Sequence, residues 1–217
     1  RSIGSGSTIV FLNYRESVER ASAYLSEQGF SVSAFHGGLD QRGRESALYR
    51  FANGSACILV STDLGSRGLD IPDVENIIHY HMPETKEAYL HRIGRTARWD
   101  KNGRAFFILA TGEKIPDYVA GDIPNYSLSP KGMPARPRMT TLYIGKGKKD
   151  KISKGDLVGF LCKKGGLSKD DIGRIDVRDY YCYVAVNRSK AAEMLKKVRG
   201  EKIKGLRTLV EIAAPEA

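Results

Sequence analysis

The sequence has few cysteines, no long apolar segment and no sign of a secretion signal. Its 217 residues include three cysteines, Cys57, Cys162 and Cys182, none of which forms a Cys-x-x-Cys pair. An odd number of widely spaced cysteines argues against a disulfide framework and against a zinc site, so no metal site is predicted and a reducing, cytoplasmic setting fits best. Because no run of 18 apolar residues and no signal-peptide core occur, neither membrane insertion nor secretion is predicted.

Positive charge is concentrated in the last third of the chain. The formal net charge is +10, from 35 Lys and Arg against 25 Asp and Glu. Residues 1–110 contribute 13 − 12 = +1, residues 111–138 contribute 4 − 3 = +1, and residues 139–217 contribute 18 − 10 = +8. A basic block of this size on a folded domain is expected of a protein that binds nucleic acid or an anionic membrane, and composition alone does not choose between them.

Short apolar strands alternate with helices over residues 1–112. The predicted strands are Thr8–Leu12, Phe30–Phe35, Cys57–Val60, Asn76–Tyr80 and Arg104–Leu109. The predicted helices are Arg15–Gln28, a second one capped by Asp40 that reaches Phe51, and a third from about Thr85 that carries an arginine-rich segment. This alternation predicts an α/β layer with a parallel sheet and right-handed crossovers, in which ligands bind beyond the carboxyl ends of the strands.

A polar segment, Ser61–Asp70, falls at that edge of the predicted sheet. Thr62 supplies a hydroxyl, Gly68 permits close backbone approach, and Asp70 can accept hydrogen bonds from a sugar hydroxyl. An ordinary polar loop has the same composition, so that alternative stays open. His36, at the end of the second strand, is interpreted as a structural residue.

Three arginines recur at three-residue spacing in the segment His91–Arg98. On a helix, Arg92, Arg95 and Arg98 can fan across one arc, because residues three apart are neighbours. Their planar, always-charged guanidinium groups suit phosphate and can act as arginine fingers on a transferring phosphoryl group. The alternative is a solvated basic face.

Together these segments resemble the motifs of the DEAD-box RNA helicases over residues 8 to about 110. The resemblance covers Ile9–Phe11 (motif IV), Gln41-x-x-Arg44 (the short motif after it), Thr62–Asp70 (motif V) and His91–Arg98 (motif VI). Order and spacing agree. Ser66 and Ala97 stand where alanine and glycine are usual, and neither position supplies a charge.

The resemblance implies that residues 1–112 are the second of two RecA-like lobes. Arg95 and Arg98 match the arginines that reach ATP phosphates across the cleft between the lobes, so they are candidate catalytic residues. Gly68 and Asp70 are further nucleotide-binding candidates, Asp70 beside the ribose. The candidates for contact with the RNA backbone are Gly37, Gln41, Thr62 and Arg67.

Two motifs that nucleotide hydrolysis needs are missing from the sequence. It contains neither Gly-x-x-x-x-Gly-Lys-[Ser/Thr] nor Asp-Glu-Ala-Asp, which cradle phosphates, hold magnesium and position water. We therefore expect a longer parent protein, whose N-terminal RecA-like lobe completes the site for ATP and magnesium. The 217 residues alone are expected to bind no cofactor and to hydrolyse no ATP.

A proline-rich linker is predicted at residues 113–138. Its five prolines are Pro116, Pro124, Pro130, Pro134 and Pro137. Proline favours extended segments, so we expect a semi-rigid tether laid partly over one domain.

Residues 139–217 predict a small α+β domain with the order β-α-β-β-α-β. The predicted elements are Met139–Ile144, Lys154–Lys164, Gly173–Val177, Tyr181–Val186, a helix capped by Asn187 or Ser189 that runs to about Arg199, and Leu206–Ile212. This is the order of the ferredoxin-like split unit and of the RNA-recognition motif (RRM), whose sheet stacks bases on aromatic rings.

Tyrosines on the predicted sheet are candidate RNA contacts. Leu142–Gly145 resembles the RRM motif on the first strand, and Tyr181–Val184 resembles part of the motif on the third. Tyr143, Tyr181 and Tyr183 could therefore stack on bases, and cross-strand packing of the rings is the alternative.

A narrower resemblance, over most of residues 139–212, is to the C-terminal domain of the DbpA subfamily of DEAD-box proteins. It is carried by Gly147–Ile152, Asp171–Ile175, Tyr183–Val186 and Ile203–Gly205. It implies that the domain anchors on a hairpin of large-subunit ribosomal RNA while the helicase lobes remodel a neighbouring duplex. The candidate phosphate contacts are Lys148, Lys149, Lys151, Lys163 and Lys164, with solvated surface as the alternative for each.

The leading hypothesis is a part of an ATP-dependent RNA helicase that acts in ribosome assembly. A non-catalytic RNA-binding or chaperone module and a superfamily-2 DNA helicase are the alternatives. His91 argues against the DNA helicase, because many DNA-directed relatives have glutamine at that position of the motif.

Overall fold

The computed structural model describes residues 3–63, 74–96, 103–129, 132–134 and 136–213. The chain divides into two compact units, with the main division between Arg136 and Pro137.

The first unit is built on a five-stranded parallel sheet with the strand order β2-β3-β1-β4-β5. Its strands are β1 (Thr8–Leu12), β2 (Val32–Phe35), β3 (Ile58–Thr62), β4 (Asn76–His79) and β5 (Arg104–Phe107). The predicted α/β layer with a parallel sheet is confirmed. Since all five strands run the same way, their carboxyl ends meet at one edge.

Strand β1 lies at the centre of this sheet, and all five of its residues are buried. Ile9 and Phe11 face one apolar cluster, together with Phe51. Val10 and Leu12 face another on the opposite side of the sheet. Burial on both faces explains why the strand is continuously apolar instead of alternating.

The described residues of the first unit include three helices: α1 (Arg15–Glu27), α2 (Gln41–Ala52) and α3 (Lys86–Ile93). The predicted cap of α2 is present, since Asp40 Oδ1 accepts the Gly43 N–H at 2.6 Å. Thr85 Oγ1 accepts the Ala88 N–H at 3.1 Å at the start of α3. Each cap satisfies a backbone N–H that the helix leaves without a partner.

Helix α3 ends before the last two arginines of the arginine-rich segment. The Gly94 N–H still bonds to Leu90 O, but the Arg95 N–H bonds to Arg92 O in a tighter turn, and Thr96 then pairs in parallel with Val74. The expectation that these arginines fan across one helical arc is therefore wrong for Arg92 and Arg95, and Arg98 lies outside the described residues. The turn at Gly94 and Arg95 breaks the helical spacing after Arg92.

Part of the segment after β5 packs against the first unit. The Tyr118 hydroxyl donates to Pro83 O, and its ring lies 5.8 Å from that of Tyr89. The Tyr126 ring contacts Phe106 edge-on at 5.0 Å. At Tyr118 and Tyr126, the segment therefore lies against α3 and β5, respectively.

The second unit contains a four-stranded antiparallel sheet with the order β11-β6-β8-β7 and two helices. Its elements are β6 (Met139–Ile144), α4 (Lys154–Lys163), β7 (Ile172–Val177), β8 (Cys182–Asn187), α5 (Arg188–Val198), β9 (Lys202–Ile203), β10 (Leu206–Arg207) and β11 (Val210–Ile212). The predicted antiparallel α+β domain is confirmed. A single last strand over Leu206–Ile212 is wrong, because its first part pairs with β9 in a hairpin that turns at Lys204 and Gly205, both with positive φ.

The two faces of this second sheet have different roles. Leu142 and Ile144 of β6 face the helices and the core, together with Val184 of β8. The intervening residue, Tyr143, lies on the opposite face, where it pairs across strands with Tyr183. The aromatic candidates are thus on the face away from the helices.

Candidate functional site

The carboxyl edge of the first sheet is organised by the side chain of Arg92. Its relative accessibility is 0%, and it is among the largest fully buried side chains in the described part of the chain. Arg92 Nε and Nη2 donate to the two carboxylate oxygens of Asp63, each at 2.6 Å. Two parallel bonds from a planar guanidinium to a carboxylate fix both position and orientation.

The same guanidinium reaches the ends of two further strands. Nη2 donates to Asn13 Oδ1 at 2.8 Å, just after β1, and Nη1 donates to His81 O at 2.7 Å, just after β4. Asp63 follows β3. We call Asn13, Asp63, His81 and Arg92 the arginine clamp, since one side chain of α3 ties together the ends of three adjacent strands.

His79 completes the surroundings of Arg92. Its Nδ1 lies 3.4 Å from Arg92 Nη1, and since a guanidinium only donates, Nδ1 is the acceptor. The ring stacks on Phe107 with centroids 4.6 Å apart. Burial, and next the charge of Arg92, lower the pKa of His79 from 6.5 to about 3, so the ring is neutral at pH 7.

The turn that carries Arg95 is held by two hydrogen bonds to the backbone of Val74. Val74 N–H donates to Arg95 O at 3.0 Å, and Thr96 Oγ1 donates to Val74 O at 2.6 Å. Arg95 itself is half-buried. The candidate finger therefore lies three residues after the clamp arginine, on a turn with fixed backbone geometry.

The other candidates of the first unit lie on different connections. Gly37 is exposed between β2 and α2, and Gln41 is exposed as the first residue of α2, where its Nε2 donates to Glu45 Oε1 at 2.9 Å. Thr62, next to the clamp residue Asp63, is buried. The remaining candidates, Arg67, Gly68, Asp70 and Arg98, lie outside the described residues.

His36 has the structural role predicted for it. The ring is buried, and Nδ1 accepts the Gly38 N–H at 3.1 Å. Burial lowers the pKa of His36, and the nearby Glu19 carboxylate only partly opposes this effect. The bond fixes the turn after β2, which carries Gly37.

The sequence does not predict the residues that bind Arg92. Asn13 and His81 have no predicted role, Asp63 is only part of a motif, and Arg92 itself is predicted as a phosphate ligand. A signal was available, because Asn13, Asp63 and His81 are polar residues directly after apolar strands. The rule that strand carboxyl ends meet at one edge predicts that such residues lie close together.

In the second unit, the lysine candidates fall into two groups. Lys148 and Lys149 lie in a short 3₁₀ turn after β6, followed by Lys151, and all three are exposed. Lys163 and Lys164 are exposed at the end of α4, where Lys164 pairs with Glu201 at 3.2 Å. Lys148, Lys149 and Lys151 thus lie together in one turn. Lys163 and Lys164 lie on a different element, at the end of α4.

The three sheet tyrosines contact one another. The ring centroids of Tyr143, Tyr181 and Tyr183 are 5.3 to 6.0 Å apart, and Tyr183 is only 3% exposed. Cross-strand packing, the alternative to base stacking, is therefore present at these residues.

The described residues contain neither a cluster of metal-binding side chains nor a helix that could span a membrane. Among residues 3–63, 74–96, 103–129, 132–134 and 136–213, no group of three or more His, Cys, Asp or Glu side chains could hold a metal ion. Within the same ranges, no helix has both the length and the apolar character required to cross a bilayer.

Comparison with known families matches each unit to a different domain. Residues 2–100 match the helicase conserved C-terminal domain, and residues 141–212 match the DbpA RNA binding domain. The ATP-dependent RNA helicase DbpA of Escherichia coli (strain K12) is 38% identical over 206 residues, which cover 92% of this chain and 45% of that protein. DbpA of Bacillus subtilis (strain 168) is 30% identical over 228 residues, covering 92% and 48%.

A third relative matches a shorter stretch. The DEAD-box ATP-dependent RNA helicase 21 of Oryza sativa subsp. japonica is 44% identical over 103 residues, which cover 48% of this chain and 14% of that protein. The chain spans just under half the length of the two DbpA proteins. With a helicase C-terminal domain followed by a DbpA RNA binding domain, the chain belongs to the DbpA subfamily of DEAD-box proteins.

Proposed function

We propose that this chain is the C-terminal part of an ATP-dependent RNA helicase that separates short RNA duplexes in the cytoplasm. The observation that carries the proposal is the occurrence of the two matched domains in one chain, since the relatives that align across both are named ATP-dependent RNA helicases. Residues 1–112 supply half of a nucleotide site, and residues 139–217 hold the enzyme on its RNA. Residues 113–138 connect them.

In the nucleotide site, Arg95 and Arg98 stabilise charge on the transferring phosphoryl group, and Gly68 and Asp70 contact the nucleotide. ATP bound with magnesium supplies the phosphoryl group when the N-terminal lobe of the parent protein closes on this one. The geometry that supports Arg95 is its turn, which a backbone hydrogen bond from Val74 and the side-chain hydroxyl of Thr96 hold in place. A fixed donor needs little rearrangement in the transition state, which is the basis of electrostatic catalysis. Without the other lobe, the chain hydrolyses no ATP.

The arginine clamp has a positioning role in this proposal. It joins Asp63, beside the RNA candidate Thr62, to α3, which leads directly into the turn of Arg95. A rigid connection of this kind lets RNA contact and nucleotide contact depend on one another. Gly37, Gln41 and Arg67 complete the proposed contacts with the RNA backbone.

The second unit directs the enzyme to its RNA target, which is a hairpin of large-subunit ribosomal RNA. The enzyme therefore acts in the assembly of the large ribosomal subunit. Its basic excess of +8, from 18 − 10 over residues 139–217, supports a polyanionic partner. Lys148, Lys149, Lys151 and Lys163 have no ion-pair partner within the described ranges, whereas Lys164 is paired with Glu201.

The proposal is tested by binding of the 217-residue chain to a ribosomal RNA hairpin, to a scrambled hairpin and to the DNA counterpart. We expect tightest binding to the ribosomal hairpin, with protection of residues 139–217 from hydrogen exchange. Preference for DNA would instead support a DNA helicase. In the full-length protein, RNA binding without RNA-stimulated ATP hydrolysis would support a non-catalytic RNA-binding module.

A further inference from the structure

An exposed tyrosine, Tyr180, lies beside the lysine-rich turn of the second unit. It keeps 69% of its surface accessible, between β7 and β8. Its two preceding residues accept backbone hydrogen bonds from that turn: Lys148 N–H donates to Arg178 O at 2.8 Å, and Lys149 N–H donates to Asp179 O at 2.9 Å. The aromatic ring and the two lysines are therefore carried by two loops that are joined through their backbones.

A glycine permits the two loops to approach. A Cβ added at Gly147 would lie 2.2 Å from Arg178 O and 2.6 Å from Asp179 O. Both contacts are with backbone atoms, which cannot rotate away as a side chain can. The close approach of the two loops therefore depends on glycine at this position.

The lysine-rich turn is also fixed internally. Asp150 Oδ2 accepts the Gly147 N–H at 3.1 Å, and Oδ1 accepts Lys146 Nζ at 3.0 Å. Lys151 has a left-handed backbone with φ of 61°, rare for lysine, and its carbonyl accepts Lys204 Nζ at 3.0 Å. A conformation held in this way needs little further ordering when a ligand binds. Rare backbone conformations of this kind are concentrated at functional sites.

The charges around the two loops leave a positive excess at Lys148 and Lys149. Lys146 is paired with Asp150 at 3.0 Å, and Arg178 with Asp176 at 3.3 Å. The two exposed lysines have no ion pair in the part of the chain that the structure describes. The exposed Asp179 and Lys151 offset one another in charge.

Tyr180 also differs from the sheet tyrosines. Tyr143, Tyr181 and Tyr183 form a mutual ring cluster, so a base would have to compete with existing ring contacts. Tyr180 contacts no aromatic ring within the described ranges. Its ring is thus available for a planar ligand, on a loop whose backbone is joined to the turn that carries Lys148 and Lys149.

We infer that Tyr180, Lys148 and Lys149 form a binding site for single-stranded RNA, in which the ring stacks on a base and the lysines contact the flanking phosphates. Positive groups beside an exposed aromatic ring are the combination that single-stranded nucleic acid binders use. The inference deepens the proposed RNA binding of the second unit and rests on it. Because every base has a π-face, this site contributes affinity without strict sequence preference.

The test uses fluorescence anisotropy of the 217-residue chain with a labelled 12-nucleotide RNA and with an RNA hairpin that has a single-stranded loop. Tyr180→Ala is expected to weaken binding roughly 5- to 100-fold, as loss of one stacked base does, while Tyr180→Phe keeps the affinity. Lys148→Ala with Lys149→Ala is expected to weaken binding and to reduce its salt dependence. The matched controls are Tyr24→Ala, an exposed tyrosine of α1, and the lysine pair Lys169→Ala with Lys196→Ala.

The outcomes separate this inference from the proposed function. If the wild-type chain binds RNA, but Tyr180→Ala and the lysine pair bind as well as the controls, the inference is wrong and RNA binding stands. If Tyr143→Leu or Tyr181→Leu loses more RNA affinity than Tyr180→Ala, with the fold intact by circular dichroism, the base stacks on the sheet and the inference is wrong. Equal binding of a DNA 12-mer with the same dependence on Tyr180 contradicts RNA as the ligand class. A wild-type chain that binds neither RNA overturns the proposed function itself.

Discussion

Arg92 and Asp63 form a bidentate ion pair in which the guanidinium is fully buried, with both N–O distances at 2.6 Å. The pair joins helix α3 to the end of β3, 29 residues earlier in the chain. It places a residue of the sequence's most arginine-rich segment inside the protein, where it cannot be a solvated basic face.

Removing the carboxylate of this pair should destabilise the first unit. Asp63→Ala leaves Arg92 buried without its counter-ion, which costs about 3–5 kcal/mol. Hydrogen–deuterium exchange of the intact chain measures the effect, since amides of β1 and β3 should lose protection while those of β6 and β8 keep it. Asp117→Asn, an exposed carboxylate in the same unit, is the control. Unchanged protection of β1 and β3 in Asp63→Ala would show that the pair is not needed for stability.

The stability of the first unit should fall with acid because of His79. Its pKa is about 3 in the folded protein, against 6.5 for an ordinary histidine. Below pH 6.5 the unfolded chain binds a proton that the folded chain does not, so stability is present above pH 6.5 and is lost as the pH falls towards 3. The loss is about 1.4 kcal/mol per pH unit for one proton.

Urea denaturation between pH 7 and pH 4 tests this, with β4 amides as the local probe. His79→Gln, which cannot be protonated in this range, should lack that part of the slope. The same slope in both proteins would rule out His79 as its source.

Two glycine substitutions in the second unit should have opposite effects. Gly147→Ala places a Cβ 2.2 Å from the Arg178 carbonyl oxygen, so the two loops must separate, at a cost of about 1–3 kcal/mol. Gly159→Ala, in α4, meets no atom within 4 Å and should stabilise the helix by about 0.5–1 kcal/mol. Thermal denaturation followed by the near-ultraviolet signal of the tyrosine cluster compares the two. Equal melting temperatures for both variants would contradict the close approach of the loops.

The basic surface of the second unit should give RNA binding a marked salt dependence. If four lysines, Lys148, Lys149, Lys151 and Lys163, meet phosphates, the logarithm of affinity for a single strand falls with the logarithm of salt concentration at a slope of roughly −3. Binding titrations of the chain from low to moderate salt provide the slope. An RNA affinity that does not change with salt concentration would show that these lysines do not contact phosphates.

The sequence predicted the elements of both units better than their boundaries and contacts. The continuous apolar run Thr8–Leu12 identifies a buried parallel strand, because β1 is covered on both faces. The sequence misplaces the end of α3, because His91–Arg98 has helical spacing throughout, whereas the chain turns at Gly94 and Arg95 and Thr96 then pairs with Val74. The split of the last strand had a visible signal, the glycine at 205, which allows the hairpin turn.

The candidate site was predictable as a set of motifs, but not as a geometry. The clamp joins Asn13, Asp63 and Arg92 across 79 residues of sequence, and no local pattern records such a contact. The three-residue spacing predicts that all three arginines have the same role as phosphate ligands. Arg92 does not have this role, because its side chain is fully buried. Tyr180 lies in a loop between β7 and β8, where no strand periodicity marks it as a candidate for stacking.

RNA-stimulated ATP hydrolysis by the full-length parent protein tests the central claim most directly. The wild type, Arg95→Ala and the control Arg20→Ala, an exposed arginine of α1, are compared at saturating RNA and ATP. If Arg95 acts as a finger in an RNA helicase, its loss should lower turnover by roughly three orders of magnitude or more, with the control unaffected. Near-normal turnover in Arg95→Ala, or a wild type that RNA does not stimulate, would contradict the account.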